Sequence, residues 1–217
     1  SLPLVMANRK AMSIGFDKLL TAEFISGLGQ SVPWTSAILE ADPKSYPCIL
    51  KSREGAGSQG IFMLNDHSYL EPYRKLFPNY ICQEYIGTAD AEYTCGVYGC
   101  VDGEVRTIIF RRRLASGITS YAELVESKKI ESLCVGIAKA LKLRGSINIQ
   151  LRLTDSGPMV FEINPRFSST VVFRHKLGFT DLIWSIQEQI LCQKTVYKPN
   201  CPIGTKVYRV FDEMIVK

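Results

Sequence analysis

The chain is predicted to be a mixed α/β fold of the α+β type, and three observations point there. Short apolar runs are joined in pairs by turn sequences, Asp102-Gly103 and Asp155-Ser156-Gly157, that fold a strand back antiparallel to its neighbour. Two longer stretches, near 17–28 and 121–142, carry apolar residues at helical spacing. Strands and helices do not alternate as a regular βαβ series, which argues against a doubly wound parallel sheet.

Taken in order, Leu19, Leu20, Ala22, Phe24, Ile25 and Leu28 give the first helix, and Gly29 closes it. Pro33 leads into an extended stretch. Residues 47–51 read as a strand, 54–60 as a Gly-rich turn and Ile61–Leu64 as the returning strand. Asp66 can cap a helix that runs to about Leu76. Tyr80–Tyr85 is another strand, and two more are expected near 92–101 and 104–111. A helix is expected over 121–142 on Leu124, Val125, Ile130, Leu133, Ile137 and Leu141, with Ser120 and Glu123 at capping-box spacing. Strands at 146–153 and 158–164 follow. Thr180 or Asp181 can cap a last helix through Leu191, and 206–211 reads as a final strand.

At 217 residues the chain is long enough to bury a substantial core. Its 46% apolar and 22% charged content is ordinary for a globular protein. No apolar run approaches the roughly 20 residues that cross a membrane, and the N-terminus lacks a signal-peptide layout. The net charge of +5 is mild and, outside Arg111, Arg112 and Arg113, dispersed. A nucleic-acid binder would carry a denser basic stripe. Cysteines 48, 82, 95, 100, 134, 192 and 201 form no CxxC pair. Their scatter argues against a disulfide framework or zinc site and for reduced thiols in a cytoplasmic protein.

Three constellations carry chemistry. Lys51 stands at the end of a strand, before Gly55, Gly57, Ser58 and Gly60. Glycines between two strands let backbone N–H groups approach a phosphate, and a lysine adds a point charge. No Gly-Lys-Ser/Thr opens a helix, so this is not a P-loop.

The second constellation is the hairpin 145–166. Alternation puts Asn148, Gln150 and Arg152 on one face, and Glu162 with Asn164 on one face. A turn centred on Ser156 sets Gln150 opposite Glu162 and Asn148 opposite Asn164. The oxygens of Gln150, Glu162 and Asn164 then converge as hard ligands for Mg²⁺, beside an apolar layer of Ile147, Ile149, Leu151, Phe161 and Ile163. Arg166, two residues on, can clamp a phosphate or carboxylate.

The third is Gln83, Glu84, Tyr85 and Ile86, then Glu92. A strand that bends at Gly87 exposes its last backbone groups to an adenine edge, and Glu92 can accept from ribose hydroxyls.

In this order the pieces resemble the ATP-grasp superfamily, in particular the ATP-grasp domains of carbamoyl-phosphate synthetase large subunits and related small carboxylate–amine ligases. The match is carried by Asp17–Leu20, Pro47–Lys51 with Glu54–Gly60, Gln83–Ile86, Glu92–Thr94, Asn148–Gln150 and Glu162–Phe167. The resemblance implies two α+β subdomains whose antiparallel sheets clasp ATP between them. It implies that Lys18 and Lys51 contact the phosphates under a 54–60 flap, that Glu84 and Ile86 flank adenine, and that Glu92 holds the ribose. Gln150, Glu162 and Asn164 would hold one or two Mg²⁺, with Mn²⁺ a substitute, and Arg166 would stabilise the transferring phosphate. Many relatives carry a carboxylate where Gln150 stands. They also carry an N-terminal domain ahead of the Lys18 helix, which implies that one is missing here.

The implied organisation is a leading helix segment (1–32), a small lid subdomain (33–86) and a metal and nucleotide subdomain (87–217). The implied activity is a Mg-ATP-dependent ligase that activates a small carboxylate as an acyl phosphate for an amine or similar nucleophile. Phosphorylation of bicarbonate or another small acid, or a regulatory module without turnover, are the competing readings. The implied partners exclude nucleic acid and membrane, and a homodimer is left open. Candidates for the acceptor pocket are Arg111–Arg113, the loop 115–120 between a strand and a helix, and 168–176, where His175 is one of two histidines.

Overall fold

Strands in this chain divide between two antiparallel sheets, according to which helices cover their apolar faces. A computed structural model describes residues 4–55, 60–198 and 200–210. The smaller sheet takes β1 (Thr35–Ala37), β2 (Cys48–Ser52), β3 (Phe62–Leu64) and β4 (Tyr80–Glu84), in the order β1-β4-β2-β3. Cys48, Leu50, Leu64 and Cys82 turn one face toward Leu70 and its helix α3 (Leu70–Leu76). Phe62, Tyr73, Phe77 and Tyr80 pack against that core as a cluster of tilted and stacked rings. Alternation sends Ile49, Lys51 and Gln83 to the opposite face. Asp66 starts a 3₁₀ turn (His67–Tyr69) ahead of α3 by accepting from the Ser68 amide.

The larger sheet holds β5 (Glu92–Gly99), β6 (Val105–Ala115), β7 (Ile118–Leu124), β8 (Gly145–Thr154), β9 (Gly157–Asn164) and β10 (Lys206–Tyr208), in the order β10-β7-β6-β5-β8-β9. Cys95, Val97, Ile109, Ile147, Ile149, Leu151, Val160 and Ile163 bury one face. That face is covered by α4 (Lys128–Leu141), through Ile130, Leu133, Cys134, Ile137 and Leu141, and by α1 (Arg9–Phe16) and α2 (Lys18–Gly27), through Ala11 and Ile25. Each fully buried Leu or Ile contributes about 1.5–3 kcal/mol relative to exposure. On the opposite face, α5 (Val171–Lys176) and α6 (Asp181–Gln189) cover only part of the sheet, where Tyr98, Ile108 and Phe110 meet Phe173, Phe179 and Trp184. The rest of that face is charged and looks toward the smaller sheet.

Several expectations are corrected. The segment 121–142 is not one helix. Residues 118–124 form β7, which pairs with β6, and α4 begins only at Lys128. Ser127 caps α4 by accepting from the Ile130 amide at 3.4 Å. Ser120 instead donates to the Arg113 carbonyl, and Glu123 accepts from Arg111 across the strands. A cross-strand partner outweighed the helical spacing, because Thr119, Ala122 and Leu124 find burial as a strand. The loop 115–120 therefore does not join a strand to a helix. It is a tight hairpin, with Ser116 (φ 49°) and Gly117 (φ 77°) in the left-handed conformation at its tip. Asp17, in extended conformation, separates α2 from the unanticipated helix α1 and caps α2 through the amides of Leu19 and Leu20. Helix α5 was also unanticipated. No helix among the described residues is long and apolar enough to cross a membrane. The cysteines are free, and five of the seven are buried.

Candidate active site

The charged part of the larger sheet's second face is an ordered grid set by strand register. Arg112, Glu92 and Arg152 form one row across β6, β5 and β8. Phe110, Thr94, Gln150 and Glu162 form the next. Ile108, Gly96, Asn148 and Asn164 form the third. Gln150 is thus opposite Glu162, and Asn148 opposite Asn164, as expected.

The route to this register differs from the expected one. Thr154 pairs with Gly157, so the turn is the two residues Asp155-Ser156. Leu151 pairs with Val160, while Gln150 pairs with Glu162, which leaves Phe161 as the extra residue of a β-bulge. A bulge turns consecutive side chains toward the same side. Phe161 and Glu162 both line the cleft as a result. Phe161 is therefore not part of the apolar layer; Val160 takes that place.

The cleft between the sheets is a cavity of about 410 Å³, within the range of small-molecule sites. Its floor is Arg112, Gln150, Arg152, Phe161 and Glu162, and its roof is Ile49, Lys51 and Gln83. Glu84, Tyr85 and Ile86 form the hinge wall, and Lys18, Glu54 and Gly55 the open end. Lys18 donates to the Gly55 carbonyl at 2.9 Å and lies 3.8 Å from Glu162. Arg53 pairs with Asp17 at 2.7 Å, tying the start of the Gly-rich loop to the cap of α2. Gly57 and Ser58 lie outside the described residues.

Two lysines lose their protons more readily than a free lysine. Burial drives the Lys51 ammonium down to about 8, against the opposing pull of Glu162, while Lys18 and Arg152 lower it further. Its ammonium lies 5.6 Å from the Phe161 ring centroid. Lys18 is also lowered, first by burial, with Glu162, Asp17 and Glu54 opposing. Phosphate oxygens beside either ammonium would favour its charged form.

Glu92 is 7% exposed. One oxygen accepts from Arg112 at 2.8 Å and the other from Arg152 at 3.0 Å. Arg152 also donates to the Ile86 carbonyl at 2.7 Å, which ties the hinge to the floor. Arg112 donates to Gln150 Oε1 at 2.7 Å. Arg111 and Arg113 point the other way, to Glu123 and Asp90. Within the Arg111–Arg113 triplet, strand alternation alone selects Arg112 for the cleft, a signal that was present once 105–115 is read as a strand. Arg166 is exposed and does not line the cleft; it donates to the Phe167 carbonyl at 3.1 Å.

The donor set suits a metal brought in on a polyphosphate. Among the described residues, the one group of three His, Cys, Asp or Glu ligand atoms close together is Cys100, Asp102 and Glu104, and Glu104 is already paired with Arg106 there. The cleft floor instead offers the Glu162 carboxylate and the Gln150 amide, and the buried Asn164 amide lies one row on. One carboxylate with neutral oxygens fits Mg²⁺, which takes most of its ligands from phosphates and water. The amide nitrogen of Asn148, buried on the third row, has no hydrogen-bond partner among the described residues.

Comparison with known proteins agrees with this geometry. The family model described as "ATP-grasp domain" matches residues 16–170, more than half of the chain. A probable alpha-L-glutamate ligase of Xylella fastidiosa (strain M12) is 28% identical over 134 residues, covering 55% of this chain and 42% of that protein. A carbamoyl-phosphate synthase of Methanobrevibacter smithii is 26% identical over 90 residues, covering 39% and 24%. The biotin carboxylase domain of the Hydrogenobacter thermophilus 2-oxoglutarate carboxylase, solved with MgADP, ADP and bicarbonate, superposes with a TM-score of 0.75 at 18% identity, covering 91% of this chain and 50% of that one. The chain spans about half or less of the length of these relatives. The paired antiparallel sheets, the cation-lined cleft between them and the match over 16–170 lead to one conclusion: the chain belongs to the ATP-grasp family.

Proposed function

We propose that this chain is the Mg-ATP-binding core of a carboxylate–amine ligase that forms ADP. The observation that carries the reading is the Gln150–Glu162 pair on the floor of the cleft that Lys51 also lines, with the Asn148–Asn164 pair one row on. Residues 33–86 act as the lid and 87–217 as the floor. In this reading Gln83–Ile86 border the adenine, and Glu92, held by two arginines, faces the ribose. Lys18 and Lys51, with the backbone at Gly55, Gly57 and Ser58, contact the phosphates. Glu162 and Asn164, with Gln150, hold one or two Mg²⁺ ions, and Mn²⁺ can replace them. The ion supplies charge neutralisation of the phosphates when bound.

Phosphoryl transfer depends on positioning and on neutralising charge at the equatorial oxygens. Arg166 supplies a planar cation there. A small carboxylate takes the phosphoryl group as an acyl phosphate, and an amine or similar nucleophile displaces phosphate. Closure of the 54–60 segment excludes water from that intermediate. This reading places the protein in the cytoplasm, is compatible with a homodimer, and gives it neither nucleic acid nor membrane as a partner. The test is ADP release by the purified protein over panels of acids and amines. Release that needs both an acid and an amine supports the ligase. Release with bicarbonate alone, or nucleotide binding with no release on any pair, overturns it.

A further inference from the structure

A second cluster lies beside the nucleotide cleft, at the end of the grid that α5 and α6 cover. Arg174 is fully buried. Its Nη2 donates to Asp181 Oδ2 at 2.7 Å, and Ser146 donates to the same oxygen. Its Nη1 donates to Ser168 Oγ at 2.9 Å and Thr170 Oγ1 at 3.2 Å, with Asn148 Oδ1 at 3.4 Å. The guanidinium crosses β5 at Gly96, where a Cβ would lie 2.4 Å from Arg174 Cδ.

A buried ion pair rarely stabilises a fold more than an apolar pair of the same volume would, so its value here is positional. With its charge met by Asp181, Arg174 is no anion site. Its remaining donors go to the hydroxyls of Ser168 and Thr170. These follow Arg166 by two and four residues. On the other side of Arg166, Pro165 is seated against Gly15, where a Cβ would lie 2.8 Å from the ring. Arg166 therefore sits exposed on a short segment clamped at both ends. Consecutive Cα atoms are 3.8 Å apart, so fixing Pro165 and Ser168 confines the Arg166 backbone to a small volume.

We propose that the buried Arg174–Asp181 pair is a strut that sets the 165–170 segment, so that Arg174, Ser168 and Thr170 are positioning residues for Arg166 at the terminal phosphate of the nucleotide. The inference rests on the role given to Arg166 above. The test compares the affinities of Mg-AMPPNP and Mg-ADP by calorimetry, in wild type, R166A, a Ser168→Ala/Thr170→Val double variant and their combination. The double variant removes both hydroxyls and leaves the ion pair intact; Ser168→Ala alone serves if it does not fold.

R166A is expected to cut the preference for Mg-AMPPNP about tenfold, the worth of one charge-assisted hydrogen bond. The double variant is expected to cut it as far, with the affinity for Mg-ADP within about twofold of wild type, and adding R166A to it changes nothing more. A double variant that keeps the preference while R166A loses it overturns the strut and leaves the role of Arg166 standing. Equal loss of affinity for both nucleotides would show a merely structural role and also overturn it. If R166A keeps the preference, the role of Arg166 fails and the strut falls with it.

Discussion

Replacing Lys51 by Arg should change how nucleotide affinity depends on pH more than it changes affinity at neutrality. Lys51 is 7% exposed, and burial, partly offset by Glu162, brings its ammonium down to about 8. A bound phosphate would restore the charge and raise that value again. The free protein must then take up a proton to bind whenever the pH exceeds 8. The sign follows: affinity is flat below pH 8 and falls as pH rises through it. From pH 7 to pH 9 the charged fraction of a group titrating at 8 drops about tenfold, so Kd should rise about tenfold, or about 1.4 kcal/mol. A guanidinium stays charged throughout this range, so Lys51→Arg should flatten the profile. The nucleotide's own titration is common to both proteins and cancels in the comparison. The assay is calorimetric titration with Mg-ADP at pH 7, 8 and 9. A wild-type Kd that holds steady to pH 9, or a Lys51→Arg profile that falls in parallel, would refute the placement of the phosphates against Lys51.

Other residues give independent tests. Glu162→Gln should weaken Mn²⁺ binding in the presence of nucleotide by at least about tenfold, since loss of even an outer partner of a metal site costs 10–100-fold; paramagnetic resonance titration of free Mn²⁺ measures it. Ser127→Ala should cost about 0.5–2 kcal/mol as loss of the α4 cap, whereas Ser120→Ala should stay within about 0.5 kcal/mol; chemical denaturation separates them. Gly99→Ala would put a Cβ 2.2 Å from the Leu143 carbonyl and should cost about 1–3 kcal/mol, read as a lowered thermal midpoint.

The parts of the site that the sequence reveals are those whose geometry is local. Gln150, Glu162 and Asn164 lie within one hairpin, where period-two alternation and a turn signal suffice to bring them together. Even there the expected turn centre was off by half a residue, and the bulge at Phe161 made up the difference. Bulges leave little trace in a sequence, because Phe161 suits an apolar layer as well as a cleft wall. The face chosen by Arg112 depends on 105–115 being one long strand, and the tie from Arg152 to Glu92 and Ile86 spans 60 or more residues. The first is legible only once that strand's full length is known, and the second is not visible to local spacing. The reading of 121–142 as a helix failed for a related reason: β7 is stabilised by β6 and β10, and that pairing is absent from a window of single-chain periodicity. In the same way, nothing local to 168–176, one of the candidate stretches for the acceptor pocket, shows that Arg174 turns inward to Asp181.

The placement of the metal and nucleotide is the central claim, and a crystal structure of this chain with Mn²⁺ and AMPPNP tests it most directly. The anomalous signal of the metal should lie within about 2.0–2.3 Å of a Glu162 carboxylate oxygen, with the phosphates between Lys51 and the β8–β9 hairpin and the adenine against Tyr85 and Ile86. Metal density away from Glu162, or nucleotide bound outside the cleft between the two sheets, would contradict it.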